Sequence, residues 1–286
     1  METLIGGALL PHPPIMVPEV GKQELDKIRS TVEAVEQVAR ILQKDNPETV
    51  VLITPHGPVF QDAVAVSLHP RLLGNLSAFS APEVALGFAT DSLMVRQICH
   101  NAERLGINLV ELTEDLARTY RVPLQLDHGA LVPLYYLHKA GFKGQLVHLS
   151  VGMLSYTEMY TFGKAVQAAI GDLDKPTAVI ASGDLSHRLL PGAPAGYDPR
   201  GAEFDRRVVE ALKAADVKAL LDLDPELIAA AGECGLRPIF FLLGVMGGLH
   251  PVLDVLSYEG PFGVGYAVAL FRQKNRQKNK EGEQDA

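Results

Sequence analysis

The chain has only two cysteines, Cys99 and Cys234, in 286 residues. That is too few for a disulfide framework and in keeping with a reducing compartment. No apolar stretch approaches the roughly 20 residues of a membrane span. The amino terminus carries an acid, Glu2, where a secretory leader carries basic residues, and its apolar run stops at Leu10; it reads as a strand, not a signal peptide. Positive charge is also scarce. There are 26 Lys and Arg against 34 Asp and Glu, a formal net charge of −8 and a pI of about 5.6. No basic stripe suits a phosphate backbone, which argues against a nucleic-acid partner. No phosphate-cradling glycine loop, nucleotide fingerprint or Gly-x-Ser-x-Gly elbow is found. These absences predict a soluble cytoplasmic protein with neither a membrane nor a nucleic acid as partner.

Against that background, 47% hydrophobic residues supply a large core and 21% charged residues an ordinary surface. Short apolar strands alternate with amphipathic helices. Strand-like runs lie at Leu4–Leu10, Val50–Thr54, Asp62–Leu68, Asn108–Leu112, Gln145–Val151 and Pro176–Ala181, with Val252–Ser257 and Val264–Phe271 closing the chain as an antiparallel edge pair. Helical spacing runs from Lys22 to Lys44, Asp91 to Leu105 (stopped by Gly106), Ala130 to Lys139, Thr157 to Ile170, Pro199 to Ala214 and Leu236 to Met246. No repeat or composition shift interrupts the pattern before residue 273. The expectation is a single α/β domain over residues 1–272, a three-layer α/β/α sandwich with a mostly parallel central sheet. Residues 273–286, basic and then acidic, read as a flexible polar tail.

Three histidines stand just beyond apolar runs: His12 after Leu4–Leu10, His56 after Val50–Thr54, and His187 after Ala178–Ala181 with a polar turn between. In a parallel sheet the carboxyl ends of the strands share one rim, where ligands bind. That arrangement places three imidazoles where a metal or acid/base site needs them. His12, His56, His128 and His187 each lie in a tight polar or Gly/Pro motif: Pro11-His12-Pro13-Pro14, Pro55-His56-Gly57-Pro58, Asp127-His128-Gly129 and Ser182-Gly183-Asp184-Leu185-Ser186-His187. Proline stiffens such a loop and glycine admits a close neighbour. His69, His100, His138, His148 and His250 lack this clustering and read as surface or hydrogen-bonded core imidazoles.

This motif series resembles the LigB-type class III extradiol dioxygenase superfamily, which includes the Memo proteins, from Leu9 to about Phe271. The run Asp127-His128-Gly129-Ala130-Leu131-Val132-Pro133-Leu134 is its most telling piece. The resemblance implies that His12 and His56 are metal ligands, that His187 is the catalytic acid/base toward a catechol hydroxyl, and that His128 lines the site and hydrogen-bonds substrate or dioxygen. The family's third ligand comes late, at a helix start, which here is Gly232-Glu233-Cys234-Gly235-Leu236-Arg237-Pro238. Its Cys-Gly-x-x-Pro pattern matches Memo and points to Cys234. A slip of one residue installs Glu233 and yields the 2-His-1-carboxylate triad of non-haem iron oxygenases. Structural roles for both, Glu233 at the helix dipole and Cys234 in the core, are the alternative.

Asp184 and Asp127 are close enough in sequence to orient a site imidazole, although Asp127 also suits a helix N-cap. Ser186 and Tyr258 have no legible role, and Glu259 reads as a turn residue. The implied activity is aromatic ring cleavage of a small catechol-type substrate with O2 at iron, expected as Fe(II). A thiolate ligand would instead favour Zn or Cu, and with them a Memo-like module that binds metal or a partner without ring chemistry. A zinc hydrolase is disfavoured by the cysteine and the acid-poor site. The partners expected are that small aromatic molecule and O2, and the chain is compatible with a homo-oligomer.

Overall fold

The buried strands dictate the architecture. The computed structural model describes residues 3–273. The strands are β1 (Leu4–Leu10), β2 (Thr49–Thr54), β3 (Val64–Ser67), β4 (Arg71–Leu76), β5 (Ala81–Ala89), β6 (Leu109–Leu112), β7 (Gln145–Ser150), β8 (Thr177–Ser182), β9 (Val252–Glu259) and β10 (Tyr266–Arg272). The helices are α1 (Pro18–Gly21), α2 (Arg29–Gln43), α3 (Ser92–Arg104), α4 (Glu114–Tyr120), α5 (His128–Lys139), α6 (Tyr156–Leu173), α7 (Arg200–Lys213), α8 (Val217–Leu221), α9 (Pro225–Ala231) and α10 (Leu236–Val245). β1, β2 and β8 are buried at every residue, as continuous apolar runs must be when helices cover both faces of a sheet.

The main sheet has eight strands in the order β6-β3-β7-β2-β8-β1-β10-β9. β7, β2, β8 and β1 are mutually parallel, so their carboxyl ends meet on one rim. β10 and β9 close one side antiparallel, as the sequence suggests. On the other side β3 and β6 pair parallel with each other but antiparallel to β7. Alternate strand residues feed two cores. Val51, Ile53, Val147 and Val179 face α3, α6, α7 and α10; Val50, Leu52, Leu146 and Ile180 face α2, α5 and the β4–β5 hairpin. The α/β/α layering therefore stands.

Local differences are physical. The segment from Lys22 to Ile28 is a 3-10 helix, and regular α-helix starts only at Arg29. Several elements escape a reading by periodicity: the β4–β5 hairpin, α4, which Thr113 caps, and the short helices α1, α8 and α9. The tail expected from 273 lies, from 274 onward, outside the described residues. Among the described residues, no single helix is long and apolar enough to cross a membrane.

The amino ends of the central strands are tied by Asp91. It caps α3 through Met94 N–H, accepts from Thr49 Oγ1 at 2.5 Å and pairs with Lys175 Nζ. Burial pushes its carboxyl up, but these donors more than offset that and hold it below its ordinary range. Removing one partner of a buried pair leaves the other uncompensated, at a cost of about 3–5 kcal/mol. Asp91→Ala is therefore expected to lower stability in urea denaturation by about 3 kcal/mol, with metal affinity unchanged because the cluster lies at the opposite strand ends from the histidines. A loss under about 1 kcal/mol, the worth of a cap alone, would show the pair to be idle.

Candidate metal centre

The carboxyl ends of β2, β7 and β8 finish on hydroxyl residues, Thr54, Ser150 and Ser182. Two of these hydroxyls fasten the first turn of α5. Thr54 Oγ1 donates to Asp127 Oδ1 at 2.7 Å and Ser182 Oγ donates to the Gly129 carbonyl at 2.5 Å. Asp127 is the N-cap of α5, accepting from Ala130 N–H. The glycine of Asp-His-Gly follows from this closeness, because a Cβ on Gly129 would sit 2.4 Å from Thr54 Oγ1. The glycine of Pro-His-Gly has the same cause, since a Cβ on Gly57 would meet Ser150 Oγ at 1.8 Å.

Two of the three strand-end histidines, His12 and His56, converge, and the ring that completes their cluster is His128 rather than His187. His12 Nε2 and His56 Nε2 lie 2.9 Å apart. His128 joins them, its ring 4.2 Å from that of His56 and 5.7 Å from that of His12. One ligand atom from each of the three lies within 4.8 Å of the others. His12 is buried, His128 half-buried, and His56 open to solvent at the rim. His187 is near enough to His12 and His56 for their charges to be felt, and its buried Nδ1 has no hydrogen-bond partner among the described residues.

The donor set suits a cation. The one hydroxyl proton of Ser182 goes to Gly129, so Ser182 Oγ accepts from His12 Nδ1 at 2.8 Å. His12 therefore carries its proton on Nδ1 and presents a bare Nε2 toward His56. Nitrogens this close form either an N–H···N bond or two ligands of one ion, and in both cases the His12 lone pair occupies the shared point. Burial first, then His56 and His128, keeps His12 well below the usual imidazole range. Partial burial of its ring, and then His128, bring His56 to about 4. Desolvation likewise lowers His128 and His187. All are neutral at pH 7, the form that ligates.

The late helix start separates the two adjacent candidates. Cys234 Sγ lies 3.9 Å from His12 Nε2 and accepts from Asp184 N–H. Glu233 turns its carboxylate to Leu236 N–H at 2.6 Å, capping α10. Asp184 Oδ1 accepts from His12 N–H at 3.0 Å, with Oδ2 3.6 Å from His12 Nε2. Burial and neighbouring Asp205 push Asp184 up to about 7. Asp127 behaves oppositely: burial raises it, but His148 and Thr54 hold it well below the usual carboxylate range.

Several functional neighbours were hidden from sequence. Ser182, within a recognised motif, orients His12. His148 is the hydrogen-bonded core imidazole it reads as, but its partner is Asp127 at 3.3 Å. Ser186 Oγ donates to the Ala231 carbonyl, while Ser186 N–H is held by Asp205, which Tyr258 also bonds. Asp205 lies on α7, a charged-looking helix whose only hint was an acid on its buried stripe. Glu259 ends β9 and binds Thr31, outside the site.

Comparison with known proteins covers nearly the whole chain. The family model described as the catalytic LigB subunit of aromatic ring-opening dioxygenase matches residues 6–269. A Clostridium acetobutylicum protein bearing only a locus designation is 39% identical over 266 residues, 93% of this chain and 57% of that protein. The 3,4-dihydroxyphenylacetate 2,3-dioxygenase of Escherichia coli is 29% identical over 159 residues, 52% of this chain and 55% of the enzyme. The chain thus spans just over half the length of these curated relatives. An uncharacterized Escherichia coli K12 protein of known crystal structure shares the fold, with a TM-score of 0.60 at 16% identity over 94% of this chain and 99% of that one.

Asp205 generates a pH prediction. Burial first, then Glu233, raises its carboxyl to about 7 against the pull of its Ser186 and Tyr258 donors. Between about pH 4 and pH 7 the unfolded chain releases a proton that the folded one keeps, so the folded state loses stability as pH rises. Relative to Asp205→Asn, the parent is expected to lose up to about 1.4 kcal/mol per pH unit across that window and to level off above it. Urea denaturation of both metal-free proteins at several pH values measures this; parallel curves would contradict the protonated carboxyl.

Proposed function

The chain belongs to the LigB family of aromatic ring-opening dioxygenase catalytic subunits, a family of metal-dependent enzymes, and from that membership we propose that it is an extradiol-type dioxygenase that opens a catechol-type ring with O2. The observation that carries this reading is the pair of Nε2 atoms at 2.9 Å, one left as a lone pair by the Ser182 relay. His12 and His56 would hold the ion. Cys234, beside His12, is the assigned third ligand, ahead of Glu233, whose carboxylate is engaged at the helix cap. A divalent metal, proposed as Fe(II), supplies the Lewis-acid and redox chemistry of ring opening when bound.

The chain's own residues do the rest. His187, neutral at pH 7 and close to the ligand pair, takes the hydroxyl proton of the substrate and returns it. His128, half-buried between His56 and Phe79, lines the substrate side and donates a hydrogen bond there. Asp184 and Ser182 keep His12 in register. His56 is open to solvent at the rim, where a substrate would approach, and the named relative that acts on a dihydroxyphenyl compound agrees with a catechol. A cytoplasmic setting is proposed with it.

A second reading rests on Cys234 itself. Thiolate favours softer ions than iron, so Zn or Cu bound without turnover would mark a Memo-like binding module. Metal analysis of protein purified without oxygen, joined to a catechol turnover assay, separates the two. For the ring-opening reading, His12→Ala should lose metal and turnover together. His187→Ala should keep its metal and slow turnover by about 10²–10⁴-fold. Cys234→Ser should weaken metal binding more than Glu233→Gln. Equal metal loss in the His12 and His187 variants would make His187 a ligand and cancel its acid/base role.

A further inference from the structure

Ser67, His148 and Asp127 form a hydrogen-bonded line beneath the site. Ser67 Oγ lies 3.0 Å from His148 Nδ1, and His148 Nε2 lies 3.3 Å from Asp127 Oδ2. The same residue types serve hydrolases as nucleophile, base and orienter, with serine on Nε2 and aspartate on Nδ1. Here the imidazole is turned the other way round, and Ser67 is only 4% exposed on β3, so no substrate carbonyl reaches it. The line does something else.

Its destination is one carboxylate with two further duties. Asp127 Oδ1 accepts from Thr54 Oγ1 at 2.7 Å and from Ala130 N–H at 3.1 Å. Thr54 Oγ1 in turn accepts from His56 N–H at 3.2 Å. The segment bearing His56 and the helix start bearing His128 are therefore both tied to Oδ1. Rotation of a carboxylate about its last bond is soft, and fixing Oδ2 fixes Oδ1. His148 is buried on β7 with Ser67 closing its other nitrogen, so it presents Nε2–H from an immobile ring.

We propose that His148 is a positioning residue of the metal centre: its Nε2–H holds Asp127 at the rotation from which Oδ1 aligns both His56 and His128. The proposal rests on the reading of these histidines as a metal site. Outer partners of ligands commonly set affinity in this way, and here one partner serves two imidazoles through a single carboxylate.

The test titrates Zn(II) alone into metal-free protein by calorimetry. His148→Ala should weaken zinc binding by about 10–100-fold. His148→Gln, whose amide reaches the Nε2 position, should recover most of that loss. His148→Asn, whose shorter amide bonds Ser67 but stops short of Asp127, should bind as poorly as the alanine variant. Val147→Ala, a neighbouring core truncation facing the other layer, should lose stability but keep its affinity. Equal affinities for the Gln and Asn variants overturn the proposal even if His148→Ala does not fold. So does parental affinity in His148→Asn, or a loss in Val147→Ala as large as in His148→Asn. His12→Ala run alongside separates the two levels of the argument. Zinc affinity that survives His12→Ala removes the metal reading itself; affinity lost there but intact in His148→Asn removes only the positioning role.

Discussion

Two hydroxyl hydrogen bonds into the first turn of α5 determine where the imidazoles stand. Thr54 and Ser182 end parallel strands that are themselves rigid and fully buried, and each sends its only proton into that turn. Ser182 also decides which nitrogen of His12 is bare. The helix start, the tautomer and the spacing of His12 and His56 are thus set by main-sheet geometry rather than by loop conformation. A site built on strand ends inherits the precision of the sheet, and the close-packed glycines at 57 and 129 are what allow the helix to sit that near.

The electrostatic setting is divided. Around the histidines, desolvation, joined at His12 and His56 by neighbouring imidazoles, lowers every ring, which leaves lone pairs available. Behind them, burial raises Asp184 and Asp205 to about 7, with Asp205 adding to the rise at Asp184 and Glu233 to that at Asp205, and burial raises Glu233 as well. On the α5 side, Asp127 alone is held firmly charged, because His148, Thr54 and the helix start all donate to it. A cation entering this region would find neutral nitrogen donors, one fixed negative charge nearby and carboxyls able to release protons in response. That is a setting for a divalent ion rather than for an anion.

Much of this was legible in the sequence, and the reasons differ by residue. His12, His56 and the Ser182–His187 segment follow strands buried on both faces, whose unbroken apolar runs mark themselves. His128 was visible through its motif, although its helix starts at His128 rather than at Ala130. The direction of β3 and β6 was not legible, because the sign of a pairing depends on how the chain returns after Thr54 and not on composition. The β4–β5 hairpin was hidden because Gly74 occupies one inward position and Leu73 faces out, blurring the alternation. The choice between Glu233 and Cys234 needed the cap of α10: adjacent residues at a helix start diverge, and only the structure shows which is engaged there. His148 and Asp205 lie within regular elements, where nothing in the local sequence distinguishes a partner of the site from an ordinary buried polar residue.

The unequal exposure of His12 and His56 would impose an order in time on any ion held between them. His56 faces solvent at the rim while His12 lies 1% exposed beneath it. An ion held by the proposed pair would meet His56 while still largely hydrated and would have to shed further water to reach His12, so its entry and exit would be stepwise rather than a single jump.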